Sequence, residues 1–262
     1  MGEAAILRVP SRGCSTMDVA LFITCLTDTF YPRVGEAVVR VLRHFGCRVR
    51  FPSAQTCCGQ PGFNSGFHDE AAGLIRRMVT VFADSQRVVT PSASCAAMVK
   101  QHGPELFAND PPLQTTARAL ATRTWEFATF LRDELHVDIA SLLRFDEPIT
   151  FHYPCHARDL YSLADLQGWL SGGGRDVRVP AHPDLCCGFG GVFAVEYPEL
   201  SGSMLRDKLA ELADTGARLV VSNEAACTLQ MSGGARRRGL PLRFKHLAEC
   251  LAESLNLMEP EP

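Results

Sequence analysis

Two triplets of identical composition, Cys57-Cys58-Gly59 and Cys186-Cys187-Gly188, stand in a chain of 262 residues that carries 11 cysteines in all. At the observed residue frequencies such a triplet arises by chance roughly 0.04 times. Each is framed by single cysteines at matching distances. There are 31 residues between Cys25 and Cys57 and 30 between Cys155 and Cys186, then 35 between Gly59 and Cys95 and 38 between Gly188 and Cys227. Thiolates are soft metal ligands and nucleophiles, so the pattern points to metal or redox chemistry. Neighbouring side chains on a strand face opposite ways, so paired sulfurs can converge only in an irregular turn. Gly59 and Gly188 supply the backbone freedom for one. Two adjacent thiolates also repel each other unless a cation or cluster neutralises them.

Other readings stay open at this point. A structural zinc site could draw on His152, His156 and His182 near the second triplet, but such sites usually carry C-x-x-C or H-x3-H spacing. The chain has no C-x-x-C, which also removes a thioredoxin-like dithiol and the bacterial ferredoxin run. A vicinal-dithiol switch at either triplet leaves Cys25, Cys95, Cys155 and Cys227 unexplained. Cys14, Cys47 and Cys250 fall outside the repeat and read as small buried hydrophobes. His152, His156 and Arg158 flank Cys155, where they could bind an anion, tune a bound cluster, or simply hydrogen-bond the local loop.

The elements that must position these residues come in two similar halves. In the first, a strand over 19–24 leads to Cys25, a helix runs from 33 to 45, and a strand over 48–51 enters the first triplet. A helix over 69–83 and a strand over 87–91 follow, and Ser92 to Cys95 opens another helix. In the second, a strand over 149–153 leads to Cys155, then a helix over 159–170 and a strand over 177–179 enter the second triplet. A helix over 197–215 and a strand over 218–222 lead to Cys227 at the mouth of one more helix. Between the halves, residues 109–147 carry Pro111-Pro112 and a long helical pattern through Trp125 and Leu131. Strands alternating with long helical patterns predict an α/β fold of two pseudo-repeated parallel-sheet domains. The expected division is a tail over 1–17, a first cysteine-rich domain over 18–145 and a second over 146–262. The cysteines follow strands, so the clusters should gather at the strand C-terminal ends, where α/β folds place their ligands.

Composition narrows the function further. With 26 Lys and Arg against 29 Asp and Glu, the net charge is −3 and no basic excess marks a nucleic-acid partner. The one dense basic run, Arg236 to Arg238, reads as a solvated helix end or loop. No apolar stretch approaches a membrane span, since the best, from Val19 to Leu26, stops at Asp28. The first 16 residues lack the apolar centre of a signal peptide, and a cytoplasmic, reducing compartment is expected. No phosphate-binding or dinucleotide fingerprint is present.

The segments Leu21-Phe-Ile-Thr-Cys25, Cys57-Cys-Gly-Gln-Pro61 with Asn64-Ser-Gly66, Pro91-Ser-Ala-Ser-Cys95, Cys155-His156 and Cys186-Cys-Gly-Phe-Gly-Gly191 resemble the cysteine-rich CCG-domain family. That family includes the B subunit of heterodisulfide reductase and the iron-sulfur subunit of glycolate oxidase. The likeness runs from residue 18 to about 252 and is closest to the family's lactate-utilisation branch. It implies one or two iron-sulfur clusters, of [4Fe-4S] type, held by Cys25, Cys57, Cys58 and Cys95 and by Cys155, Cys186, Cys187 and Cys227. The family pattern ends each half in Cys-x-x-Cys, whereas this chain has Met98 and Gln230 at the last position, so each half offers four thiolates.

The resemblance further implies an electron-transfer subunit, incomplete as an oxidoreductase by itself, in a three-protein system oxidising L-lactate to pyruvate. Its implied partners are a larger ferredoxin-containing protein of the lactate-utilisation B type and a smaller one of the C type. The chain shows no obvious base for removing a proton from lactate, which fits a need for partners. A thiol-disulfide redox subunit of heterodisulfide type and a zinc-stabilised interaction protein are the alternatives. The absent fifth cysteine counts against the former.

Overall fold

The structure, a computed structural model, describes residues 17–260; the tail over 1–16 and Cys14 lie outside the described residues. The first half runs β1 (Met17–Leu21), α1 (Cys25–Phe30), α2 (Pro32–His44), β2 (Cys47–Arg50), α3 (Gln60–Asn64), α4 (His68–Val81), β3 (Val88–Thr90) and α5 (Ala93–Ala97). A π-helical turn over Met98–His102 leads to α6 (Gly103–Glu105), α7 (Pro111–Thr122), β4 (Thr124–Glu126), α8 (Phe127–Asp133) and α9 (Ile139–Leu142). The second half runs β5 (Ile149–Phe151), α10 (Leu163–Ser171), α11 (Phe193–Glu196), α12 (Pro198–Asp214), β6 (Leu219–Ser222), α13 (Ala225–Arg237), β7 (Arg243–His246) and α14 (Leu247–Ser254).

Both sheets are parallel, as the alternation of strands and helices predicts. The first has the order β2-β1-β3-β4 and the second β5-β6-β7. A single parallel bridge from Ile149 to Val177 stands where β2 pairs with β1 in the first half, so the two sheets share one topology. The strand expected over 177–179 is thus only a bridge. Pro180 follows at once and cannot extend a ladder, and Val179 is exposed.

The segment around Trp125 also differs from the helix expected there. The helix ends at Thr122, and Thr124-Trp125-Glu126 adds a fourth strand to the first sheet beside β3, in keeping with the strand preference of β-branched and aromatic side chains. The helix expected over 159–170 begins at Leu163, where Ser162 and Asp165 form a reciprocal capping box. Residues Cys155–Asp159 form a 3₁₀ turn instead.

Period-two alternation gives the inner strands two buried faces. In β1, Val19 and Leu21 join a central core, while Ala20 and, just beyond the strand, Phe22 join an outer core with Ile75, Met78 and Leu120. In the second sheet, Leu219 and Val221 face the centre, while Val220 faces outward to Leu205, Leu209 and Met231. The central core holds α2, α8, α10 and α14 between the sheets, so residues of both halves share it. Helix α14 packs against α2 across the halves. The basic run Arg236 to Arg238 is the C-terminal end of α13, where cations suit the exposed carbonyls.

His246 fastens the last strand to the first half. It caps α14, its Nδ1 accepting from the Ala248 N–H at 3.1 Å, which leaves Nε2–H to donate to the Pro91 carbonyl at 2.8 Å. The bond to Nδ1 requires the neutral ring, and burial pushes its pKa down from 6.5 to about 4, against the Pro91 carbonyl, which favours the protonated ring. Because the folded pKa lies below the unfolded one, this contribution is whole above pH 6.5 and is lost as pH falls from 6.5 through 4. The full loss is on the order of 3 kcal/mol, at 1.36 kcal/mol per pH unit. His246→Asn should keep the cap but lose the Pro91 bond, costing about 1 kcal/mol at pH 7. In urea titrations the gap between the two proteins should narrow as pH drops to 4.5; a constant gap contradicts the assignment.

Candidate metal centre

The two triplets form the turns their glycines predict. Gly59 has φ +88° and Gly188 φ +78°, a region that side chains with a Cβ seldom adopt. In each turn the glycine N–H lies 3.4 Å from the first sulfur, Cys57 or Cys186. A Cβ on Gly188 would meet the Ser201 carbonyl oxygen at 2.6 Å, whereas one on Gly59 would meet Ala71 at 3.2 Å. Gly188→Ala should therefore destabilise by about 2–4 kcal/mol, from left-handed strain plus overpacking, and by more than Gly59→Ala. Thermal or urea unfolding of the two variants checks the order.

The single cysteines arrive by different routes. Cys25 opens α1 after Thr24, a buried non-glycine residue at φ +71° whose hydroxyl bonds that of Thr27 at 2.8 Å. Such a conformation costs energy and persists only where the surroundings impose it. Cys95 lies in the first turn of α5, and its N–H donates to the capping Ser92 Oγ at 3.2 Å. Cys227 lies in the first turn of α13, capped by Glu224. Cys155 opens the 3₁₀ turn after β5.

These routes bring the sulfurs together in two chains. In the first, Cys58 Sγ lies 3.2 Å from Cys95 Sγ, and Cys57 bonds both Cys25 and Cys58. In the second, Cys186 bonds Cys155 and Cys187, and Cys187 bonds Cys227. In each set one thiol ionises at the expense of its neighbours. Hydrogen bonds from Cys25 and Cys58 hold Cys57 far below the usual thiol range, while the same bonds and burial push Cys25 and Cys58 up. Cys186 is likewise held down by Cys155 and Cys187, which rise. Four thiolates at such separations need a compensating positive charge.

All eight cysteines line one cavity of about 390 Å³, together with Gln60, Asn64, His156, Phe189, Val195 and Glu224. The halves meet here: α5 packs against the Cys155 turn and α1 against α13. Cys47 and Cys250 lie instead in the central core. Met98 is wholly buried in the outer core of the first half, and Gln230 donates to Ser201 Oγ at 3.0 Å, whose hydroxyl donates to the Gly188 carbonyl at 2.7 Å. His156 Nδ1 stands 3.4 Å from Cys155 Sγ, while Arg158 bonds the Asp184 carbonyl and His182 pairs with Glu211.

Sequence reasoning missed Glu224. Its buried carboxylate accepts from Ser92 Oγ at 3.1 and 3.0 Å, from the Ser94 N–H at 2.8 Å and from the Ala226 N–H at 3.3 Å. It thus ties the helix carrying Cys95 to the helix carrying Cys227. An isolated glutamate before a helix signals an N-cap at most; no spacing signals a partner 132 positions earlier.

A family model described as a cysteine-rich CCG domain matches residues 19–100 and 149–232, one match per cysteine set. Among curated proteins the chain is similar to lactate utilization protein A of Exiguobacterium sp., 38% identical over 91% of this chain and 98% of the relative. It is also similar to lactate utilization protein A of Geobacillus kaustophilus, 40% identical over 90% of this chain and 98% of the relative. The donor chemistry agrees with the family's name: two compact, nearly all-sulfur sites that cannot stay charged without a soft metal.

Proposed function

Because this chain belongs to the cysteine-rich CCG-domain family, we propose that it is an iron-sulfur electron-transfer subunit of a multi-protein system oxidising L-lactate to pyruvate. The observation that carries this reading is the pair of four-sulfur sets lining one cavity. Cys25, Cys57, Cys58 and Cys95 hold one cluster in this proposal, and Cys155, Cys186, Cys187 and Cys227 hold the other. A cluster of [4Fe-4S] type, when bound, supplies storage for single electrons, and four thiolates suffice for one.

The protein's own residues do the rest. The glycine turns present two sulfurs from adjacent positions, and the first turns of α5 and α13 present Cys95 and Cys227. Phe189 and Val195 add apolar surface to the lining of the cavity. Each proposed unit, 18–145 and 146–262, contributes one set. The chain is incomplete as a catalyst, and its proposed partners are a ferredoxin-containing B-type and a smaller C-type lactate-utilisation subunit. No helix among the described residues is long and apolar enough to cross a membrane, and the proposed location is the cytoplasm.

The experiment is genetic. Cells lacking this protein, with no other lactate dehydrogenase present, should fail to grow on L-lactate as sole carbon source and should recover when it is restored. Normal growth removes the lactate assignment.

A further inference from the structure

The two sets differ in what stands behind them. Three residues before Cys25 is Phe22, and three before Cys155 is His152; both are wholly buried. Strand alternation turns both toward the outer helices, since Ala20 and Phe22 share one face and Thr150 and His152 the matching one. Phe22 meets Phe82 edge to face at 5.9 Å. The backing helices match in register, because Gly59 abuts Ala71 and Leu74 of α4 where Gly188 abuts Ser201 and Met204 of α12. That register places Lys208 opposite Met78, and both are buried. The first site therefore has an apolar back wall of Phe22 and Met78, and the second a polar one of His152 and Lys208.

Lys208 Nζ already donates to the Pro183 carbonyl at 3.2 Å. His152 has no such outlet, and neither ring nitrogen has a hydrogen-bond partner. Buried imidazoles are seldom left so, since each unmet polar group costs about 1–3 kcal/mol. One of its nitrogens, Cys187 Sγ and Cys227 Sγ all lie within 4.8 Å of one another. Tetrahedral donors bonded to one metal at about 2.0–2.3 Å stand roughly 3.3–3.8 Å apart, so a closure of about an ångström lets the imidazole share a cluster iron with one of these sulfurs.

We propose that His152 is a ligand of the iron bound by the second set, filling the role left open at Gln230, whose amide is committed to Ser201. The inference rests on the iron-sulfur reading and deepens it. The first site binds through sulfur alone and the second through sulfur and one imidazole nitrogen. A neutral imidazole donates less charge than a thiolate, so the second site should accept an electron at the higher potential.

The test uses the full chain, purified anaerobically from histidine-auxotrophic cells fed either natural or ¹⁵N-histidine, and chemically reduced. Pulsed electron paramagnetic resonance should show a strong nitrogen coupling that changes isotope pattern with the label. The coupling should vanish in His152→Leu and persist in His156→Phe, which removes the other nearby imidazole. His152→Cys should restore iron to the level of the unsubstituted protein without restoring the coupling, which separates a lost ligand from a failed fold. Iron and acid-labile sulfide at full content with only weak coupling, or strong coupling that follows His156, overturns the proposal. Absence of iron and sulfide overturns the underlying reading instead.

Discussion

Cys58→Ser is expected to lose the iron of the first set and keep that of the second, and Cys187→Ser to do the reverse, so that each variant retains about half the iron and sulfide of the unsubstituted protein. The expectation follows from position. Cys58 lies in the middle of its chain of sulfurs, 3.2 Å from Cys95 and bonded to Cys57, and is 2% exposed; Cys187 is placed likewise between Cys186 and Cys227. A serine hydroxyl has nearly the same size but is a hard, weakly acidic donor that does not replace a thiolate on a soft metal. Cys250→Ser is the control, since Cys250 packs among the central helices. It should lower stability modestly by burying a hydroxyl, about 1–3 kcal/mol, with metal content unchanged. Iron and sulfide assays with the visible absorbance of each variant decide the matter, and full iron in Cys58→Ser and Cys187→Ser contradicts the ligand assignment.

Glu224→Ala is expected to destabilise the protein by about 3 kcal/mol and to loosen both sets together. The substitution removes the acceptor for Ser92 Oγ and the Ser94 N–H inside a site where no water-exposed surface replaces it, and stranded buried donors cost about 1–3 kcal/mol each. Ser92 also caps the turn that carries Cys95, and Glu224 caps the one that carries Cys227, so one deletion frees two sulfurs from different halves. Glu224→Gln keeps an acceptor oxygen and should cost about 1 kcal/mol. Urea unfolding measures the stabilities, and the rate of iron release to a chelator measures the loosening. Release from one set alone in Glu224→Ala contradicts its role as a tie between the halves.

Much of this organisation is legible in the sequence because short-range rules govern it. The parallel α/β class follows from hydrophobic periodicity, and the glycines after paired cysteines announce turns that the backbone angles at Gly59 and Gly188 display. Met98, a large apolar side chain where the family pattern has its last cysteine, is buried in the core. What stayed hidden depends on partners distant in the chain. Thr124-Trp125-Glu126 is too short to outweigh the helical pattern around it and becomes a strand only beside β3. Strand β7 and helix α14 lie beyond Cys227, the last cysteine of the repeat, where no motif drew attention to Arg243–His246, although they close the second sheet and seal the central core. The Glu224 tie joins two helix caps that no local pattern pairs. His152 was visible as a histidine near Cys155, but its burial without a partner appears only in three dimensions.

The most direct measurement of the central claim is electron paramagnetic resonance on anaerobically purified protein, read together with iron, acid-labile sulfide and zinc content. The account predicts iron and sulfide in near-equal amounts, two iron-sulfur signals that the Cys58→Ser and Cys187→Ser variants remove one at a time, and no stoichiometric zinc. Zinc bound without sulfide, and no iron-sulfur signal in any redox state, would contradict it.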